Sequence, residues 1–405
     1  MTPFVVFGDE WGSHPTSVQY LARGLSSTHP LLYVNTPWVR RPRWNINDAQ
    51  RAWRKLRQWA LPRDNHSSGR FYSYSPAVIP FKPFGPVRRW NRNMLVKGLR
   101  LQMRLHNLET PALFVAQPLA AETLGTLGER LLVYYITDQY AAMPGVYSQY
   151  VEDLERALLS EANLIFVTST KLQQEKNGRK AHALMLPHGV DFEHFHSATK
   201  LQGSVPEELR HLPRPLLGFY GLLAPWVDAN LLRHVARAFP KASVVLIGPV
   251  WIDFPLPKDV SNLYWFGARS YADLPHYAAQ FDVGLIPFRQ DLLTAYVNPL
   301  KLLEYLALGL PVVSTPLPDL ARFGDLVYQA SSPDDFIDQV KLALADRSPE
   351  RRAQRLTLAA GESWDARVNT LQEQIERALS VRHETVAPHF SLGTAPAGDS
   401  ASCGT

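Results

Sequence analysis

The chain has 405 residues, of which 46% are hydrophobic and 20% charged, and its formal net charge is +5. A chain of this length is too long to fold around one ordinary hydrophobic core, which predicts two domains. The apolar content excludes a disordered chain. Its single cysteine, Cys403, excludes a disulfide framework and a cysteine-based metal cluster. The N-terminus lacks a signal-peptide pattern and no apolar run approaches about eighteen residues, so we expect a cytoplasmic protein without a membrane-spanning helix.

The first part of the sequence alternates apolar runs with helical patterns. Strand patterns occur at 4–7, 31–35, 113–116, 132–136, 164–167 and 183–186, and a helix pattern occurs at 18–25. Apolar runs without alternation are typical of parallel strands that are covered on both faces. These patterns predict a doubly wound α/β domain, although the dinucleotide motif G-x-G-x-x-G is absent. Because ligands bind beyond the carboxyl ends of such strands, the loop after the first strand, with His14, is a candidate ligand position.

A basic segment interrupts this pattern at about 38–104. It contains sixteen Lys or Arg residues and only two acids, Asp48 and Asp64, with tryptophan and phenylalanine interleaved. Cations combined with tryptophan favour the headgroup region of an anionic membrane. The same composition suits nucleic acid, where aromatic rings stack on bases, or a plain solvated face. We interpret the segment as an insertion that contacts an anionic membrane surface, and we expect no nucleic acid partner.

The strand pattern at 132–136 ends in Thr137-Asp138. An Asp at the carboxyl edge of a central strand, facing a crevice between domains, is a candidate general base. The alternative is an Asp that caps a helix or forms a turn. We predict that Asp138 is catalytic.

A second set of alternating elements follows a crossover that begins at Pro187-His-Gly-Val-Asp191. Strand patterns occur at 216–221, 243–248, 263–267, 283–288 and 326–329, and helix patterns at 228–238, 336–345 and 365–379. They predict a second parallel sheet with right-handed crossovers. The expected domains are 1–190 and 191–364, followed by a C-terminal helix, 365–380, that packs back on the first domain. Residues 381–405 are rich in Pro, Gly, Ser, Ala and Thr, which predicts a disordered tail.

Between these elements, the helix pattern Leu300–Leu308 is apolar on nearly every side and should be buried. Asn298 and Pro299 are typical of an N-cap and a first helical position, since Asn accepts from an unpaired N–H and Pro has none. Gly309 is typical of the left-handed residue that ends a helix.

Lys301 and Glu304 are the two charged residues of this helix, and their spacing places them on one face. A helix N-terminus with a Lys in its first turn suits a phosphate, because free N–H groups and the helix dipole favour anions. A carboxylate one turn deeper can accept from ribose hydroxyls. The alternative is a surface ion pair. Because the surrounding helix should be buried, we predict a nucleoside diphosphate site.

With these motifs, the sequence resembles glycosyltransferases of the type with two Rossmann domains, called GT-B, from residue 1 to about residue 380. The most specific segments are Pro187-His-Gly-Val-Asp191, similar to the P-N-G-V-D crossover of that family, and Lys301-x-x-Glu304-Tyr-Leu-Ala-x-Gly-x-Pro-Val-Val313. Within the class, Gly12-x-His14-Pro-Thr-Ser17, Val34-Asn-Thr36 and Arg40-Arg41-Pro42 resemble bacterial enzymes that build exopolysaccharide or cell-wall polymers on lipid carriers.

The resemblance implies an α/β GT-B fold, with two tandem Rossmann-like domains whose parallel sheets face a central cleft. It implies a sugar nucleotide in the C-terminal domain and an acceptor in the N-terminal domain. Lys301 would meet the diphosphate, Glu304 the ribose or sugar hydroxyls, and Asp138 would be the base of the inverting members. The further donor candidates are Gly221, Arg269, Asn298 and Leu300, and the acceptor candidates are Trp11, His14 and Ser17. No cofactor and no metal are expected.

The sequence departs from the family pattern at two places. Retaining family-4 enzymes carry a second Glu eight residues before the first, where this chain has Tyr296, which argues against the standard retaining arrangement. Those enzymes also have an Arg/Lys pair where this chain reads Gly221-Leu-Leu-Ala-Pro-Trp226, so backbone amides and Lys301 would have to hold the diphosphate.

Together, these features predict a metal-independent glycosyltransferase that moves a sugar from a nucleoside diphosphate sugar to an acceptor hydroxyl. The expected acceptor is a lipid-linked glycan of exopolysaccharide or cell-envelope polysaccharide synthesis, used at the inner face of the cytoplasmic membrane. Three alternatives stay open: a sugar-nucleotide 2-epimerase, a non-catalytic transferase-like scaffold of a polymer synthase, and a nucleic-acid binder.

Overall fold

Parallel strands form the centre of both domains in the computed structural model, which describes residues 1–12, 15–36, 69–76, 85–143, 145–178, 180–200, 205–251 and 254–386. One sheet has seven strands and the other has six. Most strand residues are buried, because helices cover both faces of each sheet, and this is why the sequence shows apolar runs without alternation.

The N-terminal sheet has the strand order β3-β2-β1-β4-β5-β6-β7. Its strands are β1 (Phe4–Gly8), β2 (Leu31–Asn35), β3 (Phe71–Tyr74), β4 (Ala112–Val115), β5 (Leu131–Ile136), β6 (Leu164–Val167) and β7 (Ala183–Met185). The helices are α1 (Ser17–Thr28), α2 (Gly85–Leu105), α3 (Ser148–Glu161) and α4 (Thr170–Glu175). In the register of β1, which lies between β2 and β4, Phe4 is opposite Leu31 on one side and Ala112 on the other. Successive residues of β1 enter the two core clusters on opposite faces of the sheet.

Two of these elements lie inside the segment that we predicted to be a basic insertion. β3 pairs with β2 as the edge strand of the sheet, and α2 is the helix that leads into β4. The prediction of an insertion is therefore wrong for these two stretches, because their apolar residues complete the sheet and its core. Residues 37–68 and 77–84, the remainder of the basic segment, lie outside the described residues.

The C-terminal sheet is also parallel, in the order β10-β9-β8-β11-β12-β13. Its strands are β8 (Leu216–Tyr220), β9 (Ser243–Ile247), β10 (Leu263–Trp265), β11 (Val283–Ile286), β12 (Val312–Ser314) and β13 (Val327–Gln329). The helices are α5 (Phe192–Ser197), α6 (Ala229–Ala238), α7 (Leu274–Ala278), α8 (Leu300–Ala307), α9 (Pro333–Ala345), α10 (Pro349–Gly361) and α11 (Trp364–Val386).

The helix α8 is buried, as its apolar composition predicts, with six of its residues below the surface. Its predicted start is wrong by one position, since Pro299 is the N-cap residue and no side chain caps the helix. Asn298 instead directs its amide towards Asp319, 3.5 Å away. The predicted end is confirmed, because Gly309 has the left-handed φ of 74°.

The helix α11 returns from the C-terminal domain to the N-terminal one and packs against α1. Tyr20 of α1 stacks on Trp364 at 4.8 Å with an angle of 7° between the rings. Gly24 leaves no room for a side chain, because a Cβ there would lie 2.3 Å from Val368. The helix continues to Val386, beyond its predicted end, and residues 387–405 of the predicted tail lie outside the described residues. Within the described chain, no helix is long and apolar enough to cross a membrane.

Candidate functional site

The carboxyl ends of strands from both domains meet at a cavity of about 360 Å³. Its lining consists of Asp9, Pro15, Thr16, Ser17, Val18, Thr137, Asp138, Tyr140, His188, Tyr220, Gly221, Leu222, Leu274, Leu300, Lys301 and Glu304. The N-terminal domain contributes the ends of β1 and β5 and the start of α1. The C-terminal domain contributes the end of β8 and the start of α8. Ligands of open α/β sheets bind in this position.

Lys301 extends from the first turn of α8 across Gly221. A Cβ at Gly221 would lie 2.2 Å from Lys301 Cε, and Gly221 has a φ of 135°, so the close approach of the lysine requires glycine here. The ammonium lies 5.8 Å from the ring centre of Phe219 and 5.9 Å from that of Phe288. No described residue accepts a hydrogen bond from it, and burial lowers the pKa of Lys301. This ammonium is placed to meet an anion that enters the cavity.

Glu304 lies one turn deeper in α8 and is 5% exposed. Its Oε2 accepts a hydrogen bond of 2.7 Å from the hydroxyl of Tyr220 at the end of β8. Burial raises the pKa of Glu304 to about 7. The surface ion pair that was the alternative for Lys301 and Glu304 does not form, since both residues line the cavity and no ion pair joins them. A carboxylate with one protein donor retains acceptor capacity for hydroxyl groups.

Asp138 faces the cavity from the other domain, directly after β5. Thr137 lies 3.2 Å away, from its Oγ1 to Asp138 Oδ2, and Tyr140 lies 2.8 Å from the same threonine hydroxyl. Burial raises the pKa of Asp138 to about 7, and the negative charge of Asp9 adds to the increase. A carboxyl group with this pKa can accept a proton near neutral pH, which is the property required of a general base.

Ser17 closes the N-terminal side of the cavity, where its Oγ lies 2.7 Å from Nδ1 of His188. Burial lowers the pKa of His188 to about 4, so the imidazole is neutral at pH 7. Thr16, the N-cap residue of α1, also lines the cavity, and its side chain makes no cap hydrogen bond.

The structure does not bring every candidate residue to the cavity. The ring of Trp11 packs at 4.4 Å on Phe71, and the guanidinium of Arg269 is held by Glu208 at 2.7 Å. Asn298, described above, is buried against Asp319. These three residues are absent from the cavity lining, whereas Asp138, Gly221, Leu300, Lys301, Glu304 and Ser17 contribute to it. His14 lies outside the described residues.

The lining residues that were not among the candidates include Asp9, Tyr220 and His188. Asp9 follows the first strand just as Asp138 follows β5, so the same positional rule could have identified it. Tyr220 and His188 carried no such signal, because their partners are 84 and 171 residues away in the sequence. Gln117 holds Asp9 in place through a hydrogen bond of 2.8 Å from Nε2 to Oδ1.

A wider depression of about 730 Å³ lies beside β13 and shares no lining residue with the cavity. Among the described residues, no group of three or more His, Cys, Asp or Glu side chains could hold a metal ion. Metal independence stays a prediction.

Sequence comparisons link the chain to sugar transfer. Residues 227–373 match the family model described as glycosyl transferase-like. The chain is also 28% identical over 274 residues to TuaH of Bacillus subtilis strain 168, a protein named as a candidate teichuronic acid biosynthesis glycosyltransferase. That similarity covers 62% of this chain and 67% of TuaH.

Solved structures share the architecture along nearly the whole chain. Sucrose-phosphate synthase from Thermosynechococcus elongatus has a TM-score of 0.68 at 12% identity, and the match covers 94% of this chain and 100% of that one. An α,α-trehalose-phosphate synthase (UDP-forming) from Burkholderia vietnamiensis has a TM-score of 0.64 at 13% identity, with 96% and 98% covered. Anabaena Alr3699/HepE, solved in complex with UDP, has a TM-score of 0.62 at 15% identity, with 94% and 100% covered.

The structural similarity confirms the predicted GT-B fold, with two Rossmann-like domains around a cleft. The predicted enzyme class, a glycosyltransferase, is confirmed by the family match and by the TuaH similarity.

Proposed function

We propose that the chain transfers a sugar from a nucleoside diphosphate sugar to a hydroxyl of a lipid-linked glycan, in the synthesis of an exopolysaccharide or a cell-envelope polysaccharide. The main observation in support of this proposal is the cavity, in which the unpaired ammonium of Lys301 and the buried Glu304 face Asp138 of the other domain. The name of TuaH supports the cell-wall polymer, and the UDP complex of HepE supports a nucleotide donor.

The start of α8 is the proposed seat of the diphosphate. The first N–H groups of a helix have no acceptor within the helix, and the dipole favours negative charge there. Lys301 supplies a full positive charge beside them, and its lack of a protein acceptor leaves its hydrogens for phosphate oxygens. Glu304, one turn deeper, accepts from hydroxyl groups of the ribose or the transferred sugar.

Asp138 is the proposed base. It takes the proton of the acceptor hydroxyl while the hydroxyl oxygen forms a bond to the anomeric carbon of the donor. The bond from that carbon to the diphosphate oxygen breaks, and the nucleoside diphosphate leaves with the electron pair. General-base assistance of this kind accelerates a reaction by roughly 10²–10⁴.

The leaving diphosphate gains negative charge as the bond breaks. Lys301 and the amides of α8 therefore bind the transition state more tightly than the bound donor, and only such a difference increases the rate of the chemical step. The proposed reaction involves no metal ion and no cofactor. We place it in the cytoplasm, at the inner face of the cytoplasmic membrane, where a lipid-linked acceptor would be found.

The test begins with thermal stabilisation of the purified chain by a panel of UDP-, GDP-, ADP- and dTDP-sugars. A ligand at one hundred times its Kd stabilises a folded protein by about 2.7 kcal/mol, which a melting curve resolves. The donor that is found should then be hydrolysed slowly by the wild type, and Asp138→Asn should bind it normally but release sugar roughly 10²–10⁴ times more slowly.

Two results would contradict the proposal. If no nucleotide sugar stabilises the protein, the cavity is not a donor site and a scaffold role gains support. If mass analysis and chromatography show that the donor is converted into an isomeric nucleotide sugar, the chain is an epimerase instead.

A further inference from the structure

The outward face of α2 carries an unusual set of exposed apolar side chains. Trp90 is 46% exposed, Met94 38%, Leu101 55% and Leu105 63%. Their spacings of four, seven and four residues place them within an arc of about 60° on a helix of 3.6 residues per turn. Four of the eight large apolar residues that are exposed in the described chain therefore form one stripe, which we call the α2 stripe.

The α2 stripe is not the face that packs on the protein. The opposite side of the helix buries Leu95, Leu99 and Met103 in the core of the N-terminal domain. The helix thus has two apolar faces, and the second one meets solvent. An exposed contiguous apolar patch with a polar border marks a surface that binds something.

The charges beside the stripe indicate the kind of partner. The helix contains six cations and no acidic residue. Arg88 and Arg92 are engaged by Glu122, and Arg100 donates to the carbonyl of Thr126. Lys97 and Arg104 are exposed and lie within about 40° of the edge of the stripe at 3.6 residues per turn. Among the described residues, neither of them has an acidic partner.

An anionic bilayer fits these features better than a second copy of the chain. In a two-fold symmetric dimer the patch would meet itself, and its unpaired cations would face identical cations. One helix face is also narrower than the ~800 Å² per partner of a stable protein interface. A bilayer accepts tryptophan, methionine and leucine at the headgroup level while its anionic headgroups attract the flanking cations.

The position of α2 links the stripe to the cavity. Arg88 and Arg92 hold the start of the helix on the segment Pro118–Thr123, which follows β4. Gln117, directly before that segment, donates to Asp9 in the cavity lining. The start of α2 therefore lies at the same edge of the sheet as the cavity, on its N-terminal side.

We propose that the α2 stripe, with Lys97 and Arg104, docks the protein on an anionic lipid bilayer. This inference rests on the proposed function in one respect: docking at this edge would bring a lipid-linked acceptor to the cavity without its leaving the membrane.

The test is vesicle flotation of the full chain with phosphatidylcholine alone and with phosphatidylcholine mixed with phosphatidylglycerol. The wild type should float with the mixed vesicles only, and added salt should release it. Met94→Gln/Leu101→Gln should weaken this binding at least about tenfold because the apolar area is lost. Lys97→Gln/Arg104→Gln should weaken it by about fivefold per cation.

Leu342→Gln is the matched control, since Leu342 is 55% exposed, as Leu101 is, but lies on α9 of the other domain. It should bind vesicles like the wild type. All variants change exposed side chains, so their melting temperatures should stay at the wild-type value.

Three results would overturn the docking proposal. They are absence of wild-type binding to mixed vesicles, equal binding by the apolar double variant and the wild type, and a wild-type dimer that the apolar double variant dissociates. Calorimetry of donor binding on the same variants separates the two proposals. Lost vesicle binding with intact donor binding is expected of the α2 variants, whereas absent donor binding in the wild type removes the proposed function and leaves the vesicle result standing.

Discussion

Replacing Lys301 with methionine tests the donor site most directly. Methionine keeps an unbranched chain that can cover Gly221 and lie near Phe219 and Phe288, so packing changes little while the ammonium is lost. A hydrogen bond to a charged group contributes about 1.5–3 kcal/mol. Lys301→Met should therefore weaken the binding of a nucleoside diphosphate by about 10- to 150-fold, since 1.4 kcal/mol corresponds to a factor of ten.

The same substitution should not destabilise the free protein. Burial lowers the pKa of Lys301, which means that the folded state pays a cost for holding the ammonium at neutral pH. Removing the charge removes this cost, so the melting temperature of the free variant should equal or exceed that of the wild type.

Calorimetry with UDP, GDP, ADP and dTDP measures the affinity, and thermal melting without nucleotide measures the stability. Lys171→Met is the control, because Lys171 is a half-exposed lysine that pairs with Glu175 on α4, away from the cavity. It should bind nucleotide like the wild type. The reasoning fails if Lys301→Met binds the preferred nucleotide with wild-type affinity, or if it melts several degrees lower.

Further predictions concern the same cavity. The kcat/KM should rise with pH through an apparent pKa near 7, because burial raises the pKa of Asp138 to about 7 and a base acts in its ionised form; Asp138→Asn should abolish the rise. Glu304→Gln should weaken donor binding but keep that rise, and a flat profile would assign it to Glu304 instead. Gly221→Ala should weaken donor binding more than the control Gly128→Ala. Both glycines have positive φ, but an added Cβ would lie 2.2 Å from Lys301 Cε at Gly221, whereas at Gly128 it would have no neighbour within 4 Å.

Much of the fold could be predicted because the sheet strands are buried on both faces. The bounds of β6 were predicted to the residue and those of β5 to within one residue, because an apolar run flanked by polar residues leaves little choice of where the strand begins and ends. The helix α2 was missed for a physical reason. Its buried side and its exposed α2 stripe are both apolar, so its apolar residues do not follow the single face that identifies a surface helix, and the cations dominate the composition.

The candidate site shows the same division between local and distant information. Lys301 and Glu304 could be found from the sequence because both lie within one turn of one helix. Two other contacts depend on how distant segments meet. They are the hydrogen bond from the Tyr220 hydroxyl to Glu304 and the contact of Ser17 with His188. Arg269, a donor candidate, does not line the cavity, and a sequence shows such a cation but not the Glu208 that engages it.

The charges in the cavity also bear on the alternative of a non-catalytic scaffold. Burial shifts the pKa of Asp138 and Glu304 upwards and that of Lys301 downwards, so each of the three groups is more costly to charge than it would be in water. A scaffold that binds no donor would gain stability from neutral side chains of similar volume at these positions. The cost is offset only when a partner of opposite charge or a hydrogen-bond donor enters, as a diphosphate does for Lys301 and a sugar hydroxyl does for Glu304. A working donor site is expected to reduce the stability of the free protein in this way, because a bound nucleotide sugar offsets the cost of the buried charges.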